Sequence, residues 1–275
     1  MTAQEMENII AEVEHSLAVE HMAMTSEEKE NLRRVGRGEL SFQELIAHYV
    51  NVAKRWLHRM PKQGERDYDY RYDPNDPYVY EGTHVLVNKF GLTDCNELSQ
   101  VERMITGAAV AFLETNPIQG KFDLAHLQAI HETLFEEIYD WAGQIRKQGF
   151  ISKGNSLFCK AEFIKPYAAN LFGQLQREQL LTDLEHDVFA ERISYYISEI
   201  NALHPFREGN GRTQRVFVNH LSRQAGWNLN FASTKPDTLC EACITSMKDC
   251  SPLTKLLKGA IIPVKMPLFD NCGSM

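Results

Sequence analysis

Several features that would narrow the function are scarce in this sequence. Basic residues are outnumbered, with 29 Lys and Arg against 37 Asp and Glu, which gives a formal net charge of −8. A general nucleic-acid binder needs a surplus of Lys and Arg for its phosphate contacts, so we expect no direct binding to nucleic acid. No apolar run approaches the ~18 residues needed to span a bilayer, so we expect no membrane association.

The start of the chain and its cysteines exclude further classes. The first residues, MTAQEMENIIAEVEHS, are acidic where a signal peptide would be basic, which predicts a cytoplasmic protein. Six cysteines in 275 residues are too sparse for a disulfide framework. Cys240 and Cys243 form a CxxC, but no second pair of ligands follows at zinc-site spacing, so we interpret both as structural.

Before residue 60 the sequence predicts a module of three short helices. The helical patterns run from Met6 to about Met24, from Ser26 to Val35 and from Phe42 to Leu57. Thr25 with Glu28, and Ser41 with Glu44, have the capping-box spacing, in which a hydroxyl and a carboxylate satisfy backbone donors at a helix start. Residues 61–79 are rich in charge, Pro and Tyr and have no periodicity, which predicts a linker.

From residue 80 onward the pattern is mostly helical. Helices are predicted to open at Asp94 with Glu97, after Phe122–Asp123 towards Trp141, and at Thr182 with Glu185. The last of these must end at Leu203 or His204 because Pro205 follows, and another helix is predicted from Asn210 or Gly211 to Gly226. The exception is GQIRKQGFISKGNSLFCKAEF, where β-branched and aromatic residues flank KGN and predict a hairpin. The fold class is therefore predominantly α-helical with one β-hairpin.

The stretch HPFREGNGRTQR, residues 204–215, lies in the predicted loop and enters the next helix. Gly209, Asn210 and Gly211 leave backbone N–H groups open at a helix N-terminus, which predicts a cradle for phosphate. Arg212 and Arg215 are three residues apart, so both guanidinium groups can hold further phosphate oxygens. Two arginines beside one cradle indicate a polyphosphate.

Two more groups complete this stretch. Glu208 disfavours bare phosphate, so its sensible role is to bind a Mg²⁺ ion that bridges phosphate oxygens. His204 is the group here that takes a proton near neutral pH. Each part is common in proteins, but together they predict attack by a hydroxyl on a nucleotide phosphate.

The same stretch resembles the signature of the Fic family, HPFx(D/E)GNGRxxR, and matches it at every specified position. The resemblance extends from about Tyr80 to about residue 260, and we place a Fic domain at 80–262 with a tail at 263–275. It implies a helical Fic fold whose hairpin serves as a target-positioning flap, and an enzyme that transfers AMP from ATP to a hydroxyl side chain of a target protein.

The resemblance also implies roles for individual residues. His204 would be the general base, Glu208 the Mg²⁺ ligand, and Phe206 the anchor of the loop in the core. Gly209, Asn210 and Gly211 would hold phosphate, and Arg212 and Arg215 the β- and γ-phosphates. The hairpin, from about Arg146 to Phe158, would hold the target in extended form by strand addition. The flap residues so implied are Ile145, Arg146, Lys147, Gln148, Gly149, Phe150 and Ile151.

The first helix carries a second signal. Ile9, Val13, Leu17 and Met24 define one face, and Ser16 and Glu20 fall on or beside it. A carboxylate on a buried stripe needs a cation, most simply an arginine on the surface against which it packs. The pattern alone leaves open that Glu20 lies at the solvent edge of the stripe.

The segment SLAVEH resembles the inhibitory motif (S/T)xxxE(G/N) of Fic antitoxins, with Ser16 and Glu20 matching and His21 departing. The resemblance implies that Glu20 pairs with Arg215 and blocks productive ATP placement. It also implies a bacterial toxin–antitoxin fusion that acts on DNA gyrase and topoisomerase IV. Two alternatives remain: a module that senses ATP without chemistry, and a Fic enzyme that removes AMP or uses another nucleotide.

Overall fold

Helices form most of the chain, as predicted. The computed structural model describes residues 1–56, 70–71, 76–147, 151–153 and 156–264, and within them lie ten α-helices and five short strands. The helices are α1 (Ala3–Ala18), α2 (Ser26–Gly36), α3 (Phe42–Trp56), α4 (Cys95–Thr115), α5 (Leu124–Phe135), α6 (Ala161–Arg177), α7 (His186–Leu203), α8 (Asn210–Gln224), α9 (Pro236–Ser246) and α10 (Ser251–Lys258). The strands are β1 (Tyr70–Arg71), β2 (Ser152–Lys153), β3 (Ser156–Leu157), β4 (Trp227–Leu229) and β5 (Ile261–Pro263).

Local capping signals set the starts of the N-terminal helices. The Thr25 hydroxyl accepts the Glu28 N–H at 3.2 Å, and the Glu28 carboxylate accepts the Thr25 N–H at 2.8 Å. The Ser41–Glu44 pair makes the same reciprocal bonds at 3.2 and 2.8 Å. Both predicted capping boxes are confirmed.

The predicted end of the first helix, at about Met24, is wrong. Regular helix ends at Ala18, and two backbone bonds close the following turn. The His21 N–H donates to Ala18 O at 2.9 Å, and the Met22 N–H donates to Leu17 O at 3.0 Å. His21 between them has a left-handed backbone, with φ of 58°. This is the Schellman arrangement, and its packed hydrophobic pair, Leu17 and Met22, explains why apolar residues continue past the helix end.

Helix α4 is the element on which the N-terminal module docks. Its N-cap is Asp94, as predicted, and its carboxylate accepts the Asn96 and Glu97 N–H groups. Helices α1, α2 and α3 all pack against α4, whose other neighbours are α5 and α8. An ion pair of 3.0 Å between Glu28 of α2 and Arg103 of α4 joins the two units.

Helices α7 and α8 place the loop 204–209 between them. Helix α7 ends at Leu203, as Pro205 predicts, and α8 begins at Asn210. The predicted capping pair at the start of α7 is wrong. The helix begins later, at His186, so its N-cap is Glu185, which makes no side-chain cap bond, and the Thr182 hydroxyl donates to the Gln179 carbonyl at 2.8 Å.

The predicted hairpin is present as β2 and β3, which pair antiparallel. Of the predicted turn KGN at 153–155, Lys153 ends β2, and residues 154–155 lie outside the described residues. Strand β1 pairs antiparallel with the other edge of β2, with Tyr70 opposite Lys153 and Arg71 opposite Ser152. Residues 70 and 71 belong to the segment 61–79, which the sequence predicts as a linker, and most of that segment lies outside the described residues. The backbone N–H and C=O groups of β2 explain the pairing, since a hairpin edge is a ready template for another strand.

Strands β4 and β5 form a second sheet, in which Trp227 pairs with Pro263. In the described part of the chain no disulfide is formed by Cys95, Cys159, Cys240, Cys243 or Cys250. No helix among the described residues combines the length and the hydropathy that a membrane span requires.

Candidate active site

The loop between α7 and α8 is built around two residues of the motif. Gly209 has φ of 75°, and a Cβ at this position would lie 2.2 Å from the ring of Phe135, so the loop requires glycine here. The Asn210 side chain accepts the Phe206 N–H and donates to the Phe206 carbonyl, both at 2.9 Å. Asn210 therefore closes the loop with its side chain, while its backbone begins α8.

His131, a buried histidine of α5, packs against the loop and supports it. The His131 ring stacks on Phe206 with centroids 3.9 Å apart. Its Nδ1 accepts the Gly143 N–H at 2.9 Å, so Nε2 carries the proton and donates to the Glu208 carbonyl at 3.0 Å. Burial lowers the pKa of His131 to about 3, which keeps the ring neutral and this tautomer in place. Phe206, the predicted anchor, is fully buried.

His204 lies at the mouth of the loop in a left-handed backbone conformation, with φ of 43° and ψ of 60°. Such a conformation costs about 1–3 kcal/mol in a residue with a side chain and persists where the surroundings enforce it. The Phe158 ring stacks on the imidazole, with centroids 3.7 Å apart and planes 15° from parallel. The Arg146 Nε–H donates to the His204 carbonyl at 2.8 Å.

Arg212 is held by acceptors within the core. Its guanidinium donates to the Glu102 carboxylate and the Thr106 hydroxyl, both at 3.2 Å, and lies 4.8 Å over the Phe135 ring. Tyr139 in turn donates to Glu102. Only 2% of the Arg212 side chain is exposed, so a phosphate would have little access to its guanidinium group.

Glu208 lies beside the start of α8. Its Oε1 accepts the Gly209 N–H at 3.0 Å and lies 3.6 Å from Arg212 Nη2. Burial raises the pKa of Glu208, and the charge of Glu102 adds to the effect. A single carboxylate next to a phosphate cradle is a donor set that suits Mg²⁺, which takes one or two carboxylates together with substrate phosphates. The residues present therefore fit the ion that the sequence predicted.

Arg215 is occupied by the N-terminal module. Its Nε–H donates to the Ser16 hydroxyl, and its Nη2 donates to the Ser16 carbonyl and to Glu20 Oε1, all at 2.9 Å. Glu20 also lies against the first turn of α8, because a Cβ built on Gly211 would be 2.4 Å from Glu20 Oε1. A carboxylate thus lies at the helix N-terminus where the sequence predicts phosphate.

The turn after α1 explains the position at which this chain departs from the antitoxin motif. His21 occupies the left-handed C′ position of that turn, which glycine and asparagine adopt most readily. His21 adopts the same conformation, and the turn still delivers Glu20 to Arg215.

A cleft that is partly open to solvent extends from these residues. Its charged and polar lining includes Glu20, His204 and Arg215. Much of the remaining lining is apolar and includes Ile197, Val218, Leu239 and Met247. A lining that combines charged and apolar groups suits a small organic ligand that carries charged groups.

The predicted flap residues are placed unequally. Ile151 is buried, Lys147 is exposed, and Ile145 is half-buried. Arg146 is buried beneath His204. Gln148, Gly149 and Phe150 lie outside the described residues.

The structure adds three residues that the sequence did not predict, which are Glu102, His131 and Tyr139. It also adds the stacking of Phe158 on His204. Glu102, His131 and Phe158 are distant in sequence from the motif residues that they contact, and Tyr139 contacts the motif only through Glu102, so no local pattern marks them. Asp76 is a further case, since it forms a buried ion pair of 2.8 Å with Arg207, the variable residue of the motif.

The fold and the loop are those of the Fic family, and this chain belongs to it. A family model described as the Fic/DOC family matches residues 121–222. The chain is 40% identical over 190 residues to "Probable protein adenylyltransferase y4lH" of Sinorhizobium fredii, an alignment that covers 68% of this chain and 96% of that protein. It is also 40% identical over 183 residues to "Protein adenylyltransferase VbhT" of Bartonella schoenbuchensis, covering 66% of this chain and 38% of that protein.

Solved structures show the same relationship. The BepC protein of Bartonella tribocorum, crystallised with AMPPNP, superposes with a TM-score of 0.63 and 28% identity over 68% of this chain and 97% of that one. The Fic domain of a Bartonella quintana protein, with bound ADP, gives a TM-score of 0.66 and 27% identity, covering 68% of this chain and 95% of that one. The relatives are named protein adenylyltransferases, and these two solved structures each contain an adenine nucleotide.

Proposed function

We propose that this chain transfers AMP from ATP to a hydroxyl side chain of a target protein, and that its own N-terminal module keeps it inactive. The observation that carries the proposal is the contact of Glu20 and Ser16 with Arg215, against the Gly211 backbone. Family membership supports the transferase activity. The Glu20 contact supports the inhibition.

In the proposed reaction His204 accepts the proton of the target hydroxyl as its oxygen attacks the α-phosphorus. The bond from that phosphorus to the bridging oxygen breaks, and pyrophosphate leaves. The N–H groups at the start of α8 receive phosphate oxygens, and Arg215 holds the terminal phosphate. Glu208 would hold Mg²⁺, which supplies positive charge to the phosphates. The apolar side chains of the cleft lining accept the base, and the strained backbone of His204 directs the imidazole into the cleft.

Inhibition follows from competition for the same groups. While Glu20 accepts from Arg215, the terminal phosphate lacks its cation. The carboxylate also lies against Gly211, so it excludes a phosphate oxygen from that point by contact and by charge. ATP that still enters the cleft is displaced from in-line geometry, and a displacement of about 1 Å costs roughly 10²-fold in rate.

The first targets to test are DNA gyrase and topoisomerase IV, because the antitoxin-like motif resembles those of fusions that act on type II topoisomerases. The experiment incubates the Glu20→Gly chain with labelled ATP, GTP, CTP or UTP, in bacterial lysate and with each purified topoisomerase. We expect one labelled protein with ATP and little label with the other nucleotides. Label from another nucleotide would instead support the alternative substrate.

The matched control is Glu20→Gly with His204→Ala. We expect it to bind ATP as before and to lose ~10²–10⁴-fold of the labelling rate, as removal of a general base does. Binding of ATP by both proteins with label from neither would favour the sensor without chemistry. Loss of AMP from a previously labelled target would favour the reverse reaction.

A further inference from the structure

The two ends of the hairpin segment both contact the candidate catalytic histidine. Arg146 precedes the hairpin and Phe158 follows it, and the strands β2 and β3 lie between them. The contacts reach opposite parts of His204, one its backbone and the other its ring.

Arg146 supports the backbone of the loop. Its side chain is 2% exposed. The Nε–H donates to the His204 carbonyl at 2.8 Å, the guanidinium also donates to the Cys159 carbonyl, and the Arg146 backbone N–H donates to Pro205 O at 2.9 Å. Arg146 therefore ties both ends of the hairpin segment to the two residues at the start of the motif.

Phe158 supports the imidazole. Its stacked ring leaves the imidazole little freedom to rotate about the Cβ–Cγ bond. Phe158 is itself fixed, because its N–H donates to Ile151 O at 3.2 Å and the next N–H, of Cys159, donates to Ala202 O at 2.9 Å. The latter bond joins the end of the hairpin segment directly to the last turn of α7.

We propose that Arg146 and Phe158 are positioning residues for His204, so that the base of the hairpin sets the orientation of the general base. This rests on the proposed function of His204. Arg146 enforces the left-handed backbone through the carbonyl, and Phe158 fixes the ring plane. The hairpin segment that would hold the target is therefore coupled to His204, which would deprotonate it. A target that binds well to the hairpin would also align the His204 imidazole.

The test uses the full chain with Glu20→Gly as parent and adds Arg146→Met, Arg146→Lys or Phe158→Leu. The first readout is the NMR signal of the His204 imidazole in protein labelled at histidine, assigned by its loss in His204→Ala. Because the Phe158 ring current acts on a stacked imidazole, we expect this signal to move in both Phe158→Leu and Arg146→Met. Arg146→Lys retains a donor to the carbonyl and should lie nearer the parent.

The second readout is labelling of the target found with the lysate. We expect Arg146→Met and Phe158→Leu to lower kcat by roughly 10²-fold, the cost of a displacement of about 1 Å, while KM for ATP stays near the parent value. Arg146→Lys should recover part of kcat. The matched control is Arg192→Met on α7, which removes an arginine paired with Glu178 away from the loop and should change neither the signal nor kcat.

The outcomes separate this proposal from the proposed function. If the parent labels nothing, the imidazole signal still tests whether the two residues hold the ring. An unchanged signal in folded Arg146→Met and Phe158→Leu refutes the proposal, as does unchanged kcat in both. If circular dichroism shows that Arg146→Met is unfolded, Phe158→Leu and Arg146→Lys decide by the same criteria.

Discussion

Replacing Glu20 with glycine should convert a nearly inactive chain into an active transferase. The change removes the acceptor 2.9 Å from Arg215 Nη2 and the carboxylate beside Gly211. The Arg215 side chain is 12% exposed and the Glu20 side chain is 22% exposed, so both are largely buried. A hydrogen bond between charged groups contributes about 1.5–3 kcal/mol, which is roughly 10- to 10²-fold in the population of the open site. We therefore expect a rise in labelling rate of ~10²-fold.

The assay compares labelling of the target and of the chain itself at equal protein concentration. Glu20→Gln keeps the shape of the side chain and removes its charge, so it should activate in part. Glu14→Gln is the matched control, because Glu14 is also on α1 but pairs with Lys29 inside the module, and it should stay near wild type. Arg215→Ala should not activate, alone or with Glu20→Gly, because it removes the proposed phosphate ligand.

Short tethers raise the local concentration of a docking partner to the mM range, so dilution of the chain should leave the inhibition unchanged. Equal labelling by wild type and Glu20→Gly, with both folded by circular dichroism, would refute inhibition through this residue. Activation by Glu14→Gln of the same size would show instead that any loosening of α1 releases the enzyme, and that the contact with Arg215 is not the cause.

Three further predictions follow from single contacts. Burial raises the pKa of Glu12 from 4.5 to about 7, and the charge of Glu114 adds to this shift. The docked state favours protonated Glu12, so docking of α1 weakens as the pH rises from 4.5 to about 7. The ratio of basal labelling by wild type to that by Glu12→Gln should thus rise roughly tenfold from pH 6 to pH 8, and a constant ratio would contradict this. His21→Gly should relieve ~1 kcal/mol of left-handed strain and raise Tm by about 2 °C in calorimetry, where a fall would show that the His21 side chain stabilises the turn. Glu208→Ala should increase the Mg²⁺ concentration needed for half-maximal labelling, and an activity indifferent to chelator would refute the assigned ligand.

The sequence predicted those features that depend on neighbours in the chain. Capping boxes act over three residues, and Pro205 ends α7 by a clash with its own predecessor, so both are readable locally. The motif is equally local, because one loop and one helical turn carry all of its groups. The end of α1 was missed because Met22 and Met24 continue the apolar pattern while His21 gives no sign of a left-handed turn.

The residues that support the site could not be predicted from the sequence, for a different reason. Glu102 is 110 residues from Arg212 in sequence, and Arg146 is 58 residues from His204. These pairs form only when α4 and the hairpin segment pack against α7 and α8. A buried acid in α4 or an arginine before a hairpin has many other uses, so the sequence alone does not select the partner.

Strand β2 is the centre of its sheet, with β1 on one edge and β3 on the other. Under the proposed strand addition, a target segment that pairs with this edge of β2 would have to displace β1, so β1 would compete with the target. Within the described residues the pairing of β1 involves Tyr70 and Arg71, so a long target strand would displace these pairs more readily than a short one. The apparent affinity for a target falls in proportion to the fraction of molecules in which this edge is open. Such competition would favour targets with a long extended segment, independently of the side chains in that segment.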